Sequence, residues 1–145
     1  MGEHAQSERG ETGGRCLCGA VRYTFDEAGV RWRGHCHCES CRRQTASAFT
    51  TFFGVANGHW RWTGSEPRLH RSSPGVERRF CPTCGTPMAY AADRSPGEMH
   101  FYAATLDDPT GFRPEYHAFW REKMPWIDLS DDLPRHSDDA PDETD

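Results

Sequence analysis

The chain has 145 residues, 35% of them hydrophobic, with a mean hydropathy of −0.86, which fits one domain with a modest core and offers no stretch apolar enough to span a membrane. Its net charge of −5 is concentrated, because residues 131–145 hold seven acids against Arg135 and carry −6 on their own. The remainder is near +1, so the composition excludes a field strong enough to recruit nucleic acid or an anionic membrane.

In chain order, residues 1–13 are polar and aperiodic and are expected to form a flexible N-terminal arm, with structure beginning at Gly14 and one folded domain over 14–136. Alternation over residues 21–25 predicts a strand with one buried face, entered through Cys16 and Cys18, whose flanking glycines allow the backbone to wrap a metal. A short alternating run, residues 30–33, delivers the chain into Gly34-His35-Cys36-His37-Cys38-Glu39-Ser40-Cys41-Arg42-Arg43, read as one tight loop. Residues 48–55 and 59–63 flank Asn57-Gly58, the pattern of a β-hairpin with a type I′ turn. Phe49, Phe53, Trp60 and Trp62 are expected to pack near it as core, since aromatics are the main fillers of small cores.

Residues 68–71 read as a strand before the Ser72-Ser73-Pro74-Gly75 turn, and residues 77–80 lead into Cys81-Pro82-Thr83-Cys84-Gly85-Thr86-Pro87. That stretch is a metal knuckle, two sulfurs on a tight turn with a glycine after the second; no βαβ pattern surrounds it to suggest a redox pair. Residues 87–91 and 99–103 read as two more strands joined by the turn-rich 93–97. Residues 112–133 are mixed, with Trp120, Trp126, Ile127 and Leu129 placed to lie across the sheet, and 137–145 are expected to be a flexible acidic tail. No long helical stripe, internal repeat or second domain is visible.

Seven cysteines organise this plan. Cys36, Cys38 and Cys41 place three thiols within six residues, a soft cluster that suits Zn²⁺. Cys16 with Cys18, and Cys81 with Cys84, form two distant pairs. A four-and-three division follows: a closed Cys₄ set, as in structural zinc, and a Cys₃ set that keeps one position for water or substrate, as in catalytic zinc. Other partitions stay open, since the central stretch can share a ligand with an outer pair, or His35 or His37 can complete it. An odd cysteine count and the lack of a cationic-plus-apolar leader favour a reducing, cytoplasmic setting with metal thiolates over disulfides.

The order C-x-C, C-H-C-x-x-C-R, F-C-x-x-C-G-T-P resembles the glutathione-dependent formaldehyde-activating enzyme family, which also includes the centromere protein V type. The likeness runs from about Gly14 to Arg135 and rests on residues 14–21, 36–43 and 80–87, with Ala104-Thr105-Leu106-Asp107-Asp108-Pro109 and Pro125-Trp126-Ile127-Asp128-Leu129 also similar to family text. The resemblance implies a mainly β, tent-like, zinc-stabilised single domain with little helix. It implies two zinc ions per chain, a structural one on Cys16, Cys18, Cys81 and Cys84 and a catalytic one on Cys36, Cys38 and Cys41. Ala46 stands where many relatives carry glycine, so the loop's backbone path is expected to differ slightly there.

An open Cys₃ zinc is electron-rich, a weak activator of water but suited to holding a thiol as a nucleophilic thiolate. The expected activity is therefore that of a carbon–sulfur lyase, adding a small thiol such as glutathione to formaldehyde or another small aldehyde, as the family does. Arg42 and Arg43 follow the third thiol and are candidate contacts for substrate carboxylates, or else support a net-negative metal site. His37 is placed to bond a thiolate or move a proton. The cysteines alone account for both sites, so neither histidine is needed as a ligand. The rival readings are a non-catalytic zinc-binding interaction module of the same fold and a nucleic-acid binder. A single lysine, Lys123, in a near-neutral domain weakens the second. Oligomeric state is not encoded in these signals.

Overall fold

The computed structural model describes residues 11–140. Its strands are β1 (Glu11–Arg15), β2 (Arg22–Asp26), β3 (Val30–Cys36), β4 (Thr50–Ala56), β5 (Trp60–Trp62), β6 (Arg68–Ser73), β7 (Val76–Phe80), β8 (Pro87–Ala92), β9 (Glu98–Tyr102) and β10 (His117–Ala118). One α-helix, α1 (Glu39–Thr45), is present among the described residues, with three single-turn 3-10 segments. The protein is mainly β, as expected. Among the described residues no helix is long and apolar enough to cross a membrane. The described chain divides into two compact units, 11–31 with 53–111 and 32–52 with 112–140, a division that nothing in the sequence announces.

In the first unit, β1, β2 and β5 form an antiparallel sheet in that order, and β9-β8-β7-β6 form a second sheet that continues from β4. Alternation in β2 buries Tyr23 and Phe25 and exposes Arg22 and Asp26, so one face of the strand meets the core. Tyr23 stacks on Phe101 at 4.3 Å, Phe25 meets Phe53 at 4.9 Å, and Trp60 and Trp62 approach Phe101 edge-on. Phe53 is buried in the core, and the half-buried Trp60 and Trp62 cover it through Phe101. β6 lies at the sheet edge, exposed along its length, and its Arg68, His70 and Arg71 discourage edge-to-edge pairing.

Two expectations need correction first. Structure starts at Glu11 rather than Gly14: β1 pairs with β2 from Glu11↔Asp26 to Arg15↔Arg22. Its glycines permit this approach, since a Cβ on Gly14 would lie 2.5 Å from both the Thr105 carbonyl oxygen and the Tyr23 hydroxyl. Residues 1–10 of the expected arm lie outside the described residues. Asn57-Gly58 does turn the chain, with His59 N–H donating to Ala56 O, but it does not close a hairpin. β5 pairs with β2 (Tyr23↔Trp62, Phe25↔Trp60) while β4 joins the other sheet. A type I′ turn needs positive φ at both central residues; only Gly58 has it, at 94°, and the Asn57 side chain accepts from Trp60 Nε1 at 2.9 Å, tying the indole to the corner.

In the second unit β3 runs between β10 and β4. Its pairing with β10 is parallel, His117↔His35 and Ala118↔Cys36. Gly34 gives Tyr116 room to lie over β3, because a Cβ there would meet the ring at 2.5 Å. The tight loop expected over 36–43 is in fact a strand end followed by α1. Cys38 is the N-cap, its sulfur accepting from Cys41 N–H at 3.4 Å. Seven residues are too few to show a stripe, which is why periodicity missed the helix. It ends at Ala46, whose φ of 59° and ψ of 28° are left-handed, the conformation glycine takes most readily.

Beyond β10 the backbone is irregular but tied down. His117 N–H donates to Pro134 O and His136 N–H to His117 O, both at 2.8 Å. The acidic tail is anchored at its start: Phe119 N–H donates to Asp138 O, and Arg121 Nε donates to Asp138 Oδ1 at 2.7 Å. Residues 141–145 lie outside the described residues. Trp126, expected across a sheet, is 68% exposed instead.

Candidate metal centres

Two turns, 63 residues apart in sequence, bring the first cysteine set together in the first unit. Cys16 N–H donates to Val21 O and Gly19 N–H to Cys16 O, curling the backbone before β2; Cys81 N–H donates to Thr86 O and Gly85 N–H to Cys81 O, curling it after β7. Gly85 takes a φ of 82°, which a side chain would resist. The four sulfurs lie within 4.8 Å of one another, with Cys16 Sγ to Cys18 Sγ at 3.6 Å and Cys18 Sγ to Cys81 Sγ at 3.8 Å. None of the seven cysteines is in a disulfide.

Backbone N–H groups point at these sulfurs: Val21 N to Cys16 Sγ at 3.3 Å, and Thr83 N and Cys84 N to Cys81 Sγ at 3.3 and 3.4 Å. Such donors stabilise thiolates over thiols. The Thr86 hydroxyl, 3.2 Å from Cys84 Sγ, is the main cause holding that thiol down to about 5. The same hydroxyl accepts from Leu17 N–H at 3.1 Å, linking the two turns directly.

The second set sits in the second unit, at the β3–α1 junction. Cys36 ends the strand, Cys38 caps the helix and Cys41 lies one turn along it, buried. Their sulfurs again lie within 4.8 Å of one another, and no fourth cysteine joins them. Hydrogen bonds from the Cys36 and Cys41 thiols hold Cys38 down at about 2, and the same contacts push Cys36 far up.

At the same end of β3 stands a second set of groups that sequence reasoning only half found. His37 is fully buried, stacked on Phe49 at 5.0 Å and met edge-on by Trp120 at 5.1 Å. Its Nε2 lies 2.9 Å from His117 Nδ1, and His117 Nε2 lies 2.9 and 3.1 Å from the Asp131 carboxylate oxygens. His35 Nδ1 lies 2.8 Å from Thr51 Oγ1. Burial first, then the charge of His117, pushes both His35 and His37 down to about 4; the bond with His117 holds the Asp131 carboxyl below its ordinary range. His117 and Asp131 had no local signal, because they reach the site through a two-residue parallel pairing and a long irregular return. Phe49, assigned to the β4–β5 corner from sequence, packs here instead.

The candidate substrate arginines differ. Arg42 Nε reaches toward His37 O at 3.4 Å, while Arg43 Nε pairs with Glu39 Oε2 at 2.8 Å on an exposed helix face.

A mainly β chain carrying a four-cysteine and a three-cysteine cluster, each able to hold a metal ion, defines a class of small sheet proteins organised by thiolate centres. The family model for the glutathione-dependent formaldehyde-activating enzyme matches residues 11–122. The chain belongs to that family. A solved structure of a Rhodobacter sphaeroides protein is similar in fold, with a TM-score of 0.54 and 24% identity over 70% of this chain and 91% of that one. No curated protein matches the chain.

Proposed function

We propose that the chain is a zinc-dependent carbon–sulfur lyase that adds a small thiol such as glutathione to formaldehyde or a similar small aldehyde, with Cys36, Cys38 and Cys41 as the catalytic metal ligands. The single observation that carries this reading is the three-sulfur cluster with no fourth cysteine, in a member of a family described as activating formaldehyde with glutathione. Cys16, Cys18, Cys81 and Cys84 hold a second, structural zinc. The fit can be tested on geometry: four sulfurs at about 2.3 Å from a tetrahedral zinc are about 3.8 Å apart, and the spacings found are 3.6 and 3.8 Å.

At the three-cysteine site a bound zinc supplies Lewis acidity that favours the thiolate form of an incoming thiol. In the reaction the thiol loses its proton, sulfur forms a bond to the carbonyl carbon, and the carbonyl oxygen takes up a proton to become the hydroxyl of an S-hydroxymethyl adduct. The three cysteines leave one ligand position for that thiol. Phe49, Trp120 and the buried His37 ring pack on one another beside the end of β3 and brace the backbone that carries the cysteines. Arg42 and Arg43 are the proposed partners of a glutathione-like carboxylate. Arg43 is available because its pair with Glu39 is exposed and weakly held. Seven cysteines outside any disulfide suit the reducing cytosol.

The test is NMR exchange spectroscopy on ¹³C-formaldehyde with glutathione, with and without the zinc-loaded protein. Faster exchange between free aldehyde and adduct, lost in Cys38→Ser, supports the reading. An unchanged rate with fully loaded protein sinks it and favours the non-catalytic interaction module.

A further inference from the structure

The second unit brings together a donor set that the thiol chemistry does not use. Parallel pairing of β3 with β10 aligns His35 with His117, which places both side chains on one face of the sheet, while Cys36 points to the other. Asp131 returns to that face after the irregular segment. One nitrogen of each ring and one carboxylate oxygen all lie within 4.8 Å of one another.

We propose that His35, His117 and Asp131 form a separate metal site that takes a divalent transition cation through two imidazoles and a carboxylate. Two histidines and one carboxylate are a recognised donor set for borderline divalent cations, distinct from the soft thiolate sets. The rings are positioned from behind, as metal-binding imidazoles are. Thr51 holds His35 through Nδ1, leaving Nε2 without a hydrogen bond among the described residues, and His37 Nε2 lies 2.9 Å from His117 Nδ1. The 2.9 Å between His117 Nε2 and Asp131 Oδ2 matches two neighbouring ligands on one ion, which at bond lengths of about 2.1 Å sit about 3 Å apart in octahedral geometry. Asp131 is half-exposed, so the site is reachable from solvent.

Without a cation the position is spanned by the His117 Nε2–Asp131 Oδ2 contact itself. A neutral His117 that offers Nε2 to a cation carries its single proton on Nδ1 and donates it to His37 Nε2, 2.9 Å away. Arg135, with Nη2 3.5 Å from Asp131 Oδ1, opposes the cation, so this site is weaker than the thiolate clusters and fills after them.

The experiment is an anaerobic Co²⁺ titration of the full-length metal-free protein, following near-ultraviolet thiolate-to-cobalt absorption and total bound metal together. One further equivalent should bind after thiolate absorption has saturated, adding only weak visible bands. Asp131→Asn, which keeps an acceptor for His117, and His35→Gln, which keeps a partner for Thr51, should each weaken that equivalent at least about 10-fold and leave thiolate absorption unchanged. Uptake that stops when thiolate absorption saturates overturns the proposal. So does an extra equivalent that persists in both variants, which marks adventitious binding. Loss of thiolate absorption with the extra equivalent retained would sink the cysteine reading and leave this one standing.

Discussion

The two cysteine clusters use the same atom in opposite ways. Cys16, Cys18, Cys81 and Cys84 join turns from distant parts of the first unit, and their sulfurs receive backbone donors from Val21, Thr83 and Cys84. Cys36, Cys38 and Cys41 are drawn from six consecutive residues, so the strand end and helix already place them. A metal at the first cluster closes long loops and belongs to the folding free energy. A metal at the second closes almost none. On the proposed reading, the number of residues spanned, more than the number of sulfurs, separates a centre that builds the fold from one that is free to react.

The largest effect should come from Cys84→Ser. Structural zinc binding contributes on the order of 10 kcal/mol, comparable with the whole stability of a domain, so this variant is expected to lack a cooperative thermal transition in far-UV circular dichroism. Cys38→Ser should melt within a few degrees of the parent while losing thiol–aldehyde activity. Equal losses in both variants would erase the distinction.

A smaller effect tests the backbone of the first unit. Gly14→Ala places a methyl 2.5 Å from Thr105 O and the Tyr23 hydroxyl, and overpacking of this kind costs about 1–3 kcal/mol. The urea midpoint should fall accordingly; an unchanged midpoint would show that β1 moves freely away from Thr105.

The second unit is sharpened by pH. His35 and His37 are held down at about 4, below the unfolded value of about 6.5. The unfolded chain therefore binds more protons between those values, and their contribution to stability is complete above about pH 6.5 and lost as pH falls toward 4. Histidine-resolved NMR should show both rings neutral at pH 5.5. Protonation of either ring by pH 6 would contradict the burial that sets them apart.

The smallest effect concerns Ala46. Its left-handed backbone disfavours any side chain with a Cβ, so Ala46→Gly should stabilise by about 0.5–1 kcal/mol, visible as a slightly raised Tm.

Much of the site was legible because cysteine spacing is local and chemically specific. Three clusters could be divided four and three before any fold was known, and the strands containing Tyr23, Arg68 and Met99 announced themselves by alternation and turns. The failures share a cause. Asn57-Gly58 marks a turn, but where its flanking strands go depends on Trp60 and Trp62 finding Tyr23 and Phe25, a preference set by packing across the sheet. Helix α1 was too short for periodicity. His117 and Asp131 depend on a parallel pairing between segments 82 residues apart, for which two residues of strand leave no pattern.

The central claim is that one cluster builds the fold and the other stands open for chemistry. It is tested most directly by zinc per chain from elemental analysis, before and after mild chelation, with far-UV circular dichroism on the same samples. The account predicts that the thiolate clusters bind two zinc ions, that the one on Cys36, Cys38 and Cys41 is withdrawn first, and that the spectrum survives its loss and collapses only when the second leaves. A single tightly held zinc, with Cys36, Cys38 and Cys41 freely alkylated in the loaded protein, would contradict it.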